Sequence, residues 1–109
     1  MLDLSATFIS KLMLGGFGNG THLNFSLWKD GANAFHDPDA EDGMSTVMRQ
    51  FVAGVVTTLR EFTLMYAPTI NAYRRFEPYF SNGMTQSWGY DNKSVTVRCI
   101  TESPSLTRP

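Results

Sequence analysis

The clearest polar/apolar alternation in the chain spans residues 21–28, where Leu23, Phe25 and Leu27 fall on one side of an extended backbone and His22, Asn24, Ser26 and Trp28 on the other. The pattern predicts a strand whose apolar face meets a core. The opposite face is polar apart from Trp28, so it either meets water or lines a site. A shorter β-like run at residues 6–11 precedes it, centred on Thr7-Phe8-Ile9. Gly15, Gly16, Gly18 and Gly20 fill the gap between the two and predict a turn. Lys29-Asp30-Gly31 is a second turn signal, and a loop runs on to Gly43.

The spacing then changes from two to about 3.6. Val47, Phe51, Val55, Thr58 or Leu59, and Phe62 recur at helical intervals, with Met48, Val52 and Val56 widening the stripe. A helix is expected over residues 46–66, capped by Ser45 and stopped by Pro68. Gly54 inside it costs about 1 kcal/mol relative to Ala, which points to close packing against a neighbour. Residues 71–76 predict one helical turn carrying Arg74 and Arg75, and residues 78–83 a loop. Residues 85–88 and 94–100 read as two strands about a turn at Tyr90-Asp91-Asn92, with Val95, Val97 and Cys99 on one face. The tail from Thr101 shows no periodicity. The expected class is α+β: an antiparallel sheet with a long helix packed on one face, in one domain over residues 1–109.

Composition narrows the picture. Charged residues are 17% of the chain against 42% apolar, so part of the surface is expected to be covered by other protein. A net charge of −1 without a basic stripe speaks against nucleic acid as a partner. The one cysteine, Cys99, rules out an internal disulfide and fits a cytoplasmic location. No basic leader region opens the chain, and the longest apolar stretch is interrupted by Arg49, Gln50, Arg60 and Glu61, so no membrane span is expected. The acidic run Asp37-Pro38-Asp39-Ala40-Glu41-Asp42 lacks the alternating oxygens and central glycine of a calcium loop; a solvated loop accounts for it.

Two polar groups carry candidate chemistry. His22, Asn24 and Ser26 share one strand face, and a neutral imidazole is a divalent-metal ligand. Arg74, Arg75, Lys93 and Arg98 form a cationic set, and arginine offers paired donors that match phosphate and carboxylate. An anionic substrate beside a metal, as in phosphoryl transfer, needs such a combination. The plainer alternatives are a histidine at the surface or in the core, and an arginine pair placed in solvent or at a helix end. Gly18-Asn19-Gly20 is not a phosphate-binding P-loop, because no Gly-Lys-Ser/Thr follows.

Four segments, in order, carry a resemblance. Ala6-Thr7-Phe8-Ile9-Ser10-Lys11 resembles the T-F-M-x-K strand of the glutamine synthetase family. Gly18-Asn19-Gly20-Thr21-His22-Leu23-Asn24-Phe25-Ser26-Leu27 is similar to its G-x-G-x-H-x-H-x-S-L strand. Asn71-Ala72-Tyr73-Arg74-Arg75-Phe76-Glu77-Pro78 resembles its N-S-Y-K-R segment, and residues 88–98 its later N-R-[ST]…R strand pair. The wording Trp88-Gly89-Tyr90-Asp91-Asn92 is similar to the glutamylpolyamine and glutamylputrescine branch.

The resemblance implies γ-phosphorylation of glutamate by ATP, then attack on the acyl phosphate by ammonia or an amine, with Mg2+ or Mn2+ ions. By position it implies that His22 is a metal ligand and Ser26 a nucleotide contact. Gly18 stands where a backbone meets glutamate, Arg75 where an arginine grips the substrate carboxylate, and Lys93 and Arg98 near the transferred phosphate, where they also meet the nucleotide. It further implies a ring homo-oligomer. Departures accompany it. Asn24 stands at a nucleotide-contacting histidine, Phe17 at an asparagine and Lys93 at an arginine. Ser81 falls where ammonia users carry a loop glutamate. The family's metal-binding carboxylates are expected outside this chain, whose tail stops short of an R-I-E-x-R segment. The implied function is a part of an ATP-dependent carbon–nitrogen ligase, inactive by itself. The alternative is a non-catalytic relative serving as a nucleotide-binding or subunit-interaction module.

Overall fold

The computed structural model describes residues 2–77, 85–104 and 106–109. Along the chain lie β1 (Trp28–Lys29), β2 (Ala32–Asn33), α1 (Thr46–Thr58), α2 (Thr63–Tyr66), α3 (Ile70–Tyr73), β3 (Trp88–Tyr90) and β4 (Val97–Cys99). The class is α+β, as expected. Pairing is local: β1 with β2, antiparallel, and β3 with β4, parallel.

The first pair follows from turn chemistry. Asp30 and Gly31 both take positive φ, 51° and 78°, as a two-residue type I′ hairpin requires. Register is Trp28 opposite Asn33 and Lys29 opposite Ala32. The strand expected over 21–28 is paired only at its end, where Ala34 N donates to Leu27 O at 2.8 Å and Trp28 lies opposite Asn33; residues 21–26 form no strand among the described residues. Its apolar side is correspondingly open: Leu23 is 61% exposed, and Phe25 and Leu27 45% each. Phe25 alone reaches inward, 5.6 Å from the ring of Phe51. The run at 6–11 likewise forms a single bridge, Lys11 to Gly18.

Ser45 caps α1 as expected. Its Oγ accepts from Met48 N at 3.1 Å and donates to Ala34 O at 2.6 Å, which ties the helix start to the β2 end. The expected long helix is divided at residues 59–62. Thr58 Oγ1 donates back to Gly54 O and Thr63 Oγ1 to Leu59 O, the local side-chain bonding that bends helices. Gly54 is open to solvent with nothing within 4 Å of a Cβ placed there, so close packing does not explain it. The buried stripe is centred on Met48 and Val52, one residue along from the expected Val47 and Phe51.

The core lies between α1 and β4. Phe35, Met44, Met48, Val52, Val97 and Cys99 are buried together, with Phe51, Val55 and Val56 packed against them. Burial pushes the Cys99 thiol up to about 11.

The second strand pair corrects the expected hairpin. Trp88 lies opposite Val97, Gly89 opposite Arg98 and Tyr90 opposite Cys99, in parallel. A short connection suffices because each strand is only three residues, about 10 Å. Residues 91–96 fold on Asn92, whose Oδ1 accepts from Ser94 N at 2.8 Å and Ser94 Oγ at 2.6 Å. Thr96 Oγ1 then donates to Thr85 O, returning the chain to the start of β3. The aperiodic tail is also anchored. Ile100 and Arg108 exchange two backbone bonds, and Asn33 Nδ2 donates to the carbonyls of Pro104 and Thr107. His36 Nδ1 lies 3.2 Å from Thr107 Oγ1.

The acidic run ends in a junction rather than in solvent. Asp42 Oδ1 accepts from Met44 N, while Oδ2 accepts from Arg49 Nη2 and from the Tyr90 hydroxyl, both at 2.5 Å. Loop, α1 and β3 thus meet on one carboxylate. The Tyr90 hydrogen bond, followed by that of Met44, holds the Asp42 carboxyl down at about 2. A depressed carboxyl contributes stability that is complete above the ordinary range near 4 and is lost as pH falls toward 2. The junction is largely solvated, so the effect is modest. Between pH 4 and pH 2 the melting temperature of Asp42→Asn is therefore expected to fall less steeply than that of the wild type, followed by circular dichroism. Equal slopes would remove Asp42 from the acid sensitivity of the fold.

A glycine loop closed by an arginine

Lys11 and Gly18 pair across the glycine turn, and Asn19 N donates to Ser10 O at 2.9 Å. The turn needs its glycines for two reasons. Gly15 has φ +74°, in the left-handed region. A Cβ on Gly18 would stand 2.7 Å from Ser10 O and 3.4 Å from Arg75 Nε. At Gly20 the guanidinium of Arg75 already fills the place of a Cβ, meeting it with Nη1, Cζ and Nη2. Arg75 therefore lies against the backbone at Gly20 and alongside Gly18. Two residues distant in sequence, Gly18 and Arg75, are brought together.

Lys11 is 2% exposed. Its Nζ donates to Gly16 O at 2.5 Å and pairs with Glu77 Oε2 at 3.3 Å. The same Glu77 oxygen accepts from Gly15 N at 3.1 Å. Glu77 Oε1 is buried and meets no donor among the described residues. Asn71 holds the Lys11 backbone from both sides: Lys11 N donates to Asn71 Oδ1 and Asn71 Nδ2 donates to Lys11 O, each at 2.7 Å. In the sequence Asn71 opens one of the segments that carry the resemblance but has no assigned role, and Glu77 carries no signal.

The other expected site residues lie elsewhere. Arg98 is tied to Asp91, with Nε–Oδ1 at 2.8 Å and Nη2–Oδ1 at 2.5 Å. Lys93 is exposed in the 91–96 turn. His22, Asn24 and Ser26 are exposed on the unpaired segment, and Ser26 Oγ accepts from Trp28 Nε1 at 3.0 Å. Among the described residues no three His, Cys, Asp or Glu side chains gather to hold a metal. Ser81 lies outside the described residues. No helix among them is long and apolar enough to cross a membrane.

A guanidinium offers paired donors that match a carboxylate or phosphate. The family model described as "Glutamine synthetase, catalytic domain" matches residues 1–109. The chain belongs to that family. It is similar to the glutamine synthetase of Pyrococcus furiosus, with 40% identity over 98 residues, covering 90% of this chain and 22% of the relative. The Staphylococcus aureus glutamine synthetase is 38% identical over 106 residues, 97% of this chain and 24% of the relative. A cryo-electron microscopy structure of Plasmodium falciparum glutamine synthetase superposes with a TM-score of 0.84 at 28% identity, over 94% of this chain and 20% of that chain. The chain thus spans between a fifth and a quarter of the length of these proteins.

Proposed function

We propose that this chain is part of the catalytic domain of an ATP-dependent carbon–nitrogen ligase and supplies the seat for the substrate's carboxylate. The carrying observation is the Arg75 guanidinium laid on Gly20 and beside Gly18. In the reaction, the γ-carboxylate of glutamate takes the terminal phosphoryl group of ATP. The nitrogen of ammonia or an amine then attacks the acyl phosphate; a C–N bond forms, a C–O bond breaks and phosphate leaves. Arg75 binds the spectator carboxylate through paired donors while the Gly18 backbone lies against the substrate. Lys93 and Arg98 offset charge on the phosphoryl group, and Ser26 and Asn24 face the nucleotide. Arg98 must exchange Asp91 for phosphate to do so. Support for the amine branch comes from Trp88-Gly89-Tyr90-Asp91-Asn92, with a polyamine as acceptor. The assembled protein is a ring of identical subunits.

A divalent metal takes six or more ligands, mostly oxygen. The described residues offer His22 as one imidazole and no grouped carboxylate, so by themselves they do not make its site. Among the described residues, His22 is the contribution to a Mg2+ or Mn2+ site that other residues would complete. A second reading, a non-catalytic nucleotide-binding or subunit-contact module, is favoured by the engagement of Arg98 with Asp91.

A chimera separates the two. The matched segment of the Pyrococcus furiosus enzyme is replaced by this chain, and product formation from ATP, glutamate and ammonium or putrescine is followed. Activity is expected, with His22→Ala raising the metal concentration needed and Arg75→Ala raising the glutamate KM by roughly tenfold or more, the worth of a charged, paired hydrogen bond. A folded but silent chimera selects the non-catalytic module.

A further inference from the structure

We propose that Asn71 and Glu77 are positioning residues that clamp the segment bearing Arg75 to the glycine loop, and so set the carboxylate seat; the ligand in this statement rests on the function proposed above. Arg75 lies between the two in sequence, and both anchor to the same loop. On one side Asn71 makes two 2.7 Å bonds to the backbone of Lys11. On the other, Glu77 Oε2 accepts from Gly15 N and pairs with the buried Lys11 ammonium, which in turn donates to Gly16 O. The arginine is therefore bracketed, and its guanidinium comes down on Gly20.

The local helix cannot do this by itself. α3 spans four residues, Ile70–Tyr73, and buries only Ala72. A single helical turn is unstable without tertiary anchors. Arg75 follows its end, where only short-range bonds continue, Arg75 N to Ala72 O and Phe76 N to Tyr73 O, each at 3.1 Å, and none of them ties the segment to the glycine loop. Misplacement of a binding group by about 1 Å is enough to cost two orders of magnitude in turnover. A clamp on each side of Arg75 supplies the missing rigidity, and Lys11 is the shared anchor. Burying its charge is tolerated because a carboxylate and a carbonyl both face it.

The test is the rate at which phenylglyoxal modifies Arg75 in the intact chain, read by peptide mass spectrometry with exposed Arg74 as internal reference. Asn71→Ala and Glu77→Ala are compared with wild type, with and without L-glutamate, and each variant's helix content is checked by circular dichroism. Losing two hydrogen bonds in Asn71→Ala, or one hydrogen bond and an ion pair in Glu77→Ala, is expected to raise the Arg75-to-Arg74 rate ratio by about fivefold to fiftyfold. Glu77→Gln, which keeps the acceptor oxygen for Gly15 N, is expected to restore part of the wild-type ratio. An unchanged ratio in both alanine variants overturns the clamp. Rates that rise together at Arg74 and Arg75 also overturn it, since they report general loosening. If Asn71→Ala fails to fold, the ratios of Glu77→Ala and Glu77→Gln decide. L-Glutamate is expected to slow modification of Arg75 in the wild type. A selective clamp effect without that protection leaves the clamp standing and removes the carboxylate reading of the site.

Discussion

The purified 109-residue chain, supplied with ATP, L-glutamate, Mg2+ or Mn2+ and either ammonium or putrescine, is expected to form no γ-glutamyl product above background. Phosphoryl transfer is mostly a problem of positioning and charge. A divalent metal ion at such a site would contribute several kcal/mol of transition-state stabilisation as a Lewis acid. Each 1.36 kcal/mol is a factor of about ten in rate, so losing several of them places turnover below detection. Among the described residues His22 is not joined by enough His, Cys, Asp or Glu side chains to hold such an ion. The cations are present but divided: Arg75 lies on the glycine loop, while Arg98 is tied to Asp91 at the 91–96 turn that also carries Lys93. The measurement is mass-spectrometric detection of the γ-glutamyl product together with phosphate release. Product that depends on both ATP and glutamate would mean that this chain builds its own metal site, and the incomplete-site reading of His22 would fall.

Replacing Phe35 by alanine is expected to unfold much of the molecule. Phe35 is 0% exposed and sits 5.3 Å from the ring of Phe51, at the meeting point of the β2 end, α1 and β4. Truncation of a buried phenylalanine costs about 3–5 kcal/mol through lost transfer energy and the cavity left behind. A domain of this size holds only about 5–15 kcal/mol in all. Among the described residues six side chains make up the buried cluster, so little remains to absorb the loss. The melting temperature followed at 222 nm should drop by roughly 12–40 °C, at about 4–8 °C for each kcal/mol. Val47→Ala, on the same helix but 43% exposed, serves as the control and should change it little. A Phe35→Ala melt within a few degrees of wild type would place the core elsewhere.

These two outcomes separate what is written locally from what is assembled. The Ser45 cap, the Asp30-Gly31 turn and the end of helix before Pro68 were all legible, because each depends on residues only a few positions apart. The family was legible too, since its four segments survive in order and spacing and the family model matches the whole chain. The strand at 21–28 was legible as a pattern but not as a pairing. Alternation states which side is apolar, while a ladder requires another backbone. The parallel run of β3 and β4 was hidden for a similar reason: Tyr90-Asp91-Asn92 reads as an ordinary turn and residues 94–100 as a strand until Asn92 and Thr96 are seen to fold the chain back to the start of β3.

The amino-acid sequence by itself determined the α+β class, the helix start, the tight turns and the family, because propensity, capping and motif order act over short separations. Only the tertiary structure decided that Arg75 rests on Gly20, that Asn71 and Glu77 hold the loop from both sides, and that Asp42 joins Arg49 to Tyr90. Those contacts join residues up to 62 positions apart. Hydrogen bonds and ion pairs of that range depend on angles and distances that no local pattern encodes, and they exist only once the chain has closed on itself.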